Sequence, residues 1–160
     1  MEGEREAVSL VTHSFCAEKL KGEGKVIWVD GGNVIDPLLL LRLLRSGRQS
    51  PRGALDRIIL ARAFTAYQMS AIIEGRLRDR TVEESPSLVI VSSLGELFQD
   101  PDVDRRESRE LLSRALDVLQ DISRSEESPV LVSGCPLTCP RVLRVRGSAH
   151  GLSVKQPGGA

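Results

Sequence analysis

The residues best placed to do chemistry are Asp30 and Ser92, which close the apolar runs VIWVD and LVIVS. A carboxylate or hydroxyl at the carboxyl end of a buried strand stands where α/β sheets hold their ligands. Asp30 is followed by Gly31, Gly32 and Asn33, so Asp30, Gly31, Gly32, Asn33 and Ser92 together form a candidate ligand site, suited to a nucleotide sensor or a small enzyme. Turns use the same residue types, and capping of the Gly31–Gly32 turn by Asp30 and Asn33 is the competing account. No GxxxxGK[ST] loop occurs in the sequence, and the GGN turn lacks the spacing of a phosphate-binding loop.

Two sets of arginines are candidates for nucleic-acid phosphates. Arg105, Arg106 and Arg109 follow the third apolar strand, and Arg141, Arg144 and Arg146 alternate through a C-terminal segment. Both could grip phosphates through bidentate contacts. The first set is interleaved with Asp102, Asp104, Glu107 and Glu110 and also reads as a self-paired, solvated helix start. The second also reads as charge protecting an edge strand. Aromatic stacking partners are scarce, since Trp28 falls inside a buried strand.

Soft metal ligands are few. Cys135 and Cys139 are spaced CxxxC rather than CxxC, and His13, Cys16 and His150 are the remaining donors. A zinc site would have to gather four of these, so no metal or other cofactor is expected. Three cysteines make an odd count, which argues for free thiols rather than a disulfide framework. His13 is expected to pack or cap on the first helix.

The bulk composition bounds what must position these residues. With 160 residues, 41% of them hydrophobic and 28% charged, one globular domain over residues 1–156 with a tail at 157–160 is expected, able to bury a core without staples. The formal net charge is zero, so any polyanion must be bound by a local patch. No run is apolar enough to span a membrane and the N-terminal MEGERE lacks a signal-peptide pattern; a cytoplasmic protein without membrane contact is expected.

Periodicity predicts a helix over residues 6–21 with Val8, Val11, Phe15 and Leu20 near one face, ended by Gly22 and Gly24. A strand over 25–30 is apolar without alternation, as in a parallel sheet covered on both faces. Asp36 and Pro37 read as cap and first residue of a short leucine-rich helix ending near Gly47, and 48–53 reads as loop. A strand over 58–64 leads into a helix from Thr65 with Met69, Ile72, Ile73 and Leu77 at helical spacing. After a strand over 88–92 and the acidic turn QDPDVD, a helix over 105–123 carries Leu112, Ala115, Leu116, Leu119 and Ile122, and 130–132 reads as a fourth strand. The alternation predicts a doubly wound α/β sheet with helices on both faces. RVLRVRGSAHGLSVKQ predicts an antiparallel β-hairpin at the sheet edge, turning between Gly147 and Gly151.

The order of these blocks resembles the core of the RecA/RadA recombinase family. VDGGNVIDP is similar to that family's strand ending in Asp, followed by an x-Glu-Gly turn and a Pro, with Asp30 and Pro37 at matching places. ARAF at 61–64 resembles the strand opening the next helix, and SLVIVSS at 87–93 resembles the strand that ends in the magnesium-linked Asp. The resemblance runs from about residue 15 to 135 and implies a RecA-like, mostly parallel α/β sheet. It also identifies departures. The phosphate loop and its strand are missing, Gly32 stands for the water-positioning Glu, and Ser92 for the metal-linked Asp. ATP hydrolysis by the usual site is therefore not expected. The resemblance implies a non-catalytic binding or accessory factor in DNA recombination or repair, docking on a recombinase or on its own copies, with DNA as a further candidate partner. A structural subunit without ligand is another reading. Removing a central strand would leave unpaired backbone groups unless its neighbours close up or a second chain fills the gap, the latter implying a homodimer.

Overall fold

The computed structural model describes residues 2–45, 50–125, 128–134, 144–148 and 151–155. Four parallel strands form the centre: β1 (Val26–Asp30), β2 (Ile58–Arg62), β3 (Leu88–Ser92) and β4 (Val130–Val132), in the spatial order β2-β1-β3-β4. Trp28 lies between Leu60 and Ile90 in register, and Asp30 between Arg62 and Ser92. Every residue of β1 and β3 is buried, which explains why their sequences do not alternate.

Side chains alternate across the strands and so divide the core into two layers. Ile27, Val29, Val89 and Val91 pack on one face with Met69, Ile73, Ala115, Leu119 and Ile122. These come from α4 (Ala66–Ile72), the π turn Ile73–Leu77 that continues it into α5 (Arg78–Glu84), and α7 (Arg105–Ser125). Val26, Trp28, Leu88 and Ile90 pack on the other face with Cys16, Leu20, Leu40, Leu44 and Ala54. Those belong to α1 (Glu2–Lys21), α2 (Pro37–Leu44) and α3 (Pro51–Leu55). Burying a large apolar side chain stabilises by about 1.5–3 kcal/mol, more than the intrinsic preference of short helices such as α2 and α3 can supply. The sheet therefore fixes these helices, and the mixed α/β architecture with helices on both faces is that of a RecA-like core.

Local signals act largely as expected. Asp36 accepts from the amides of Leu38 and Leu39, with Pro37 at the first helical position of α2. Thr65 accepts from the amide of Gln68 and opens α4. At the end of α1 the left-handed residue is Glu23, φ 68°, rather than either glycine. Gly24 serves instead as a close approach, since a Cβ there would lie 2.0 Å from Ser87 Oγ.

Several expectations need correction. Residues 51–55 form a short helix, α3, which overlaps the loop expected over 48–53; Pro51 pre-sets its first turn and Ala54 anchors it in the core. A four-residue helix, α6 (Leu94–Leu97), follows β3 directly. Phe15 is 44% exposed, and the buried stripe of α1 is Thr12, His13, Cys16, Ala17 and Leu20. Two polar residues occupy that stripe because each has a partner; Thr12 Oγ1, for example, donates to Val8 O at 2.8 Å. The C-terminal segment forms the antiparallel hairpin β5 (Arg144–Ser148) and β6 (Gly151–Lys155), but as a separate two-stranded sheet rather than an extension of the main one. Its strand β5 lies beside α1, and Gly147 pairs with Leu152 inside the hairpin. Finally, β3 and β4 pair directly, Val89 with Val130 through Val91 with Val132, which leaves β2 and β4 as the outer strands of the parallel sheet.

Cys16 is fully buried between α1 and the sheet, and burial pushes its thiol up to about 12. Peptide mapping after iodoacetamide treatment at pH 8 should find Cys16 unmodified in the native protein and modified in denaturant. Rapid native labelling would show that α1 does not pack as described.

Candidate functional site

The carboxyl ends of β1 and β3 converge on one buried carboxylate. Asp30 is wholly inaccessible. Its Oδ1 accepts from Ser92 Oγ at 2.9 Å, from the Val34 amide at 3.0 Å and from the Gly32 amide at 3.4 Å, while Oδ2 accepts from the Ile35 amide at 3.3 Å. Ser92 Oγ in turn accepts from Trp28 Nε1 at 3.0 Å. A buried carboxylate without partners costs several kcal/mol, and here four donors offset that cost. This side chain organises the turn over residues 31–35 rather than reaching into solvent.

The network extends to the first helix. His13 is buried, its ring meeting that of Trp28 edge-on with centroids 5.0 Å apart. His13 Nδ1 lies 2.7 Å from Ser9 O and Nε2 lies 2.8 Å from the Asp36 amide. Nε2 must accept from that amide, which assigns the proton to Nδ1. One polar chain thus joins α1, β1, β3 and the cap of α2.

Glycine is required beside it. A Cβ on Gly31 would lie 2.4 Å from Met69 Cε and 2.7 Å from Ser92 O, and the Gly31 amide donates to Ser92 O at 3.0 Å. A Cβ on Gly32 would lie 2.6 Å from Ser93 Oγ, so a longer side chain there meets Ser93 first. Asn33 stands exposed at the tip of the turn with φ 51°, a left-handed conformation that Asn tolerates better than most residues. Asp30, Gly31, Gly32 and Ser92 are therefore brought together, with Asn33 outside the cluster, and Asp30 itself holds the turn amides.

The arginines sit on other elements. Arg105, Arg106 and Arg109 are exposed at the start of α7. Arg106 pairs with Glu110 at 3.0 Å, and Arg109 Nε donates to the Arg105 carbonyl at 3.0 Å. Asp104 caps the helix through the amides of Arg106 and Glu107. Glu107 is bonded to Tyr67, which holds that phenol above its ordinary range. Arg144 and Arg146 occupy alternate positions of β5. Arg141, Cys135, Cys139 and His150 lie outside the described residues; among the described residues no three metal-ligating side chains cluster.

A cavity of about 320 Å³ opens above these strand ends, bounded by α1, by Gly32 and Ser93, and by Ser133 and Gly134 beyond β4. His13, Trp28 and Ser93 are the residues that sequence reasoning gave no part in the site. The available signal was the spacing 12, 13, 16, 17, 20 in α1, which sets a histidine on the buried stripe.

The Rad51 family model matches residues 7–135, most of the chain and all four strands of the parallel sheet. The chain belongs to the Rad51 family. It is thus a RecA-like protein of the recombination and repair theme, and the match takes in α1 as well as the blocks from residue 15 onward. No curated protein matches the chain significantly.

In this Rad51-family chain, Asp30→Ala should leave three turn amides and the Ser92 hydroxyl without their acceptor, costing about 3–5 kcal/mol. Trp28→Phe removes a single donor and should cost about 1 kcal/mol from that bond. Urea unfolding measures both; equal and small losses would refute the anchoring role of Asp30.

Proposed function

We propose that this chain is a non-catalytic member of the Rad51 family that acts as an accessory binding factor in DNA recombination or repair, docking on a recombinase or on its own copies. The observation that carries this reading is the fate of Asp30. The strand-end carboxylate is wholly buried and takes four donors from its own turn and from Ser92, so neither oxygen faces the solvent from which a metal or an attacking water would come. Hydrolysis needs a carboxylate near the metal and another to position water. The positions resembling those two groups are Ser92, whose hydroxyl is committed to Asp30, and Gly32, where Ser93 limits any side chain.

Self-association through outer surfaces, a homodimer included, is part of the proposal. The arginines at the start of α7 and on β5 are the proposed DNA contacts, those of α7 working against their acidic neighbours. No helix among the described residues is long and apolar enough to cross a membrane, and a cytoplasmic location is proposed.

Thermal melts with and without magnesium and ATP, with phosphate release measured in parallel, test the proposal. A ligand at 100 times its dissociation constant adds about 2.7 kcal/mol. The expected outcome is no shift and no phosphate release, together with retention of the chain on an immobilised recombinase of the same family. Restoring the family's carboxylates should not help: Gly32→Glu should gain no hydrolysis, and Ser92→Asp should lose stability because it sets a second buried carboxylate against Asp30. ATP turnover by the unmodified chain would overturn the reading.

A further inference from the structure

We propose that the cavity above the ends of β1, β3 and β4 binds a small zwitterion with an apolar body, of the size and charge pattern of an α-amino acid. The inference rests on the cavity and stands apart from the accessory role.

Two opposite charges line this space without being spent on each other or on neighbours. Arg5 enters from α1 and Glu96 from α6; both are exposed, and among the described residues neither forms an ion pair. A single guanidinium offers a bidentate seat for one carboxylate, and a single carboxylate accepts from one ammonium. Val8, Val34 and Trp28 supply apolar lining to the same cavity. A volume of about 320 Å³ falls at the lower end for small-molecule sites.

Ser93 gives the second, independent observation. It is only 6% exposed and held in a left-handed conformation, φ 54°. The next two amides fix it there, Leu94 donating to Ser133 O at 3.1 Å and Gly95 to Gly134 O at 2.8 Å. Its hydroxyl lines the cavity and has no partner among the described residues, whereas Thr12 donates to Val8 O and Ser92 to Asp30. Ser93 thus offers the cavity an uncommitted, accessible hydroxyl that a bound polar group can engage.

The donor pattern also selects against a phosphate ester. Phosphate sites present several free backbone amides. Here the amides of Gly32, Val34 and Ile35 are given to Asp30 and that of Ser93 to Ser133 Oγ, while Glu96 repels a polyanion.

Trp28 is the only tryptophan of the chain, so its emission reports on this cavity directly. The full chain should be titrated with L-leucine, L-methionine and L-phenylalanine, following Trp28 emission and the melting temperature. At least one of the three should give a saturable change. Arg5→Ala and Glu96→Gln, both on exposed side chains, should each weaken it about tenfold or more while leaving the unliganded melting temperature unchanged. Isovalerate, which lacks the ammonium, and isoamylamine, which lacks the carboxylate, should fail to compete. No saturable change with any of the three amino acids would overturn the proposal. So would binding that survives both substitutions, or displacement by inorganic phosphate, which would make the cavity an anion site.

Discussion

The structure depends on keeping a carboxylate inside the protein. Asp30 ends the central strand in a position with no solvent access, and the turn that follows it exists in the form that feeds amides to both its oxygens. Such a group is tolerated only when its acceptors are filled. Ser92 from the neighbouring strand, oriented by the Trp28 indole, fills the remaining direction. The requirement reaches outward from there: Trp28 packs on His13, and His13 accepts the amide of Asp36, the residue that caps α2. Two strands, two helices and a turn are thereby referenced to one side chain.

On the reading proposed above, that arrangement gives a Rad51-family chain whose strand-end carboxylate is occupied by internal hydrogen bonds. The apolar layers on either face remain continuous, one built on α4 and α7 and the other on α1 and α2. Stability then comes from these two layers, with the polar centre joining them.

Much of this was legible in the sequence because the signals were local. Uninterrupted apolar runs reveal doubly covered strands, and Asp36-Pro37 and Thr65 mark helix starts through their own side chains. What escaped was set by tertiary contact. Ser-Pro-Arg-Gly has the composition of a loop, and the packing of Ala54 and Leu55 against the core favours a helix over residues 51–55. Phe15 fits an apolar stripe in periodicity, yet the stripe that packs is rotated to include His13, whose polarity is matched by Ser9 and Asp36. Within the site, Asp30 and Ser92 were recognisable as strand ends, but their mutual bond depends on a register between strands some sixty residues apart, which no local pattern encodes.

The central claim, that Asp30 is a structural anchor and not a ligand for metal or nucleotide, is tested most directly by amide hydrogen exchange at the turn. The account predicts slow exchange for the amides of Val34 and Ile35 despite their place in a surface turn, unchanged when magnesium and ATP are added. Rapid exchange at both amides, or protection that changes with magnesium and ATP, would contradict it.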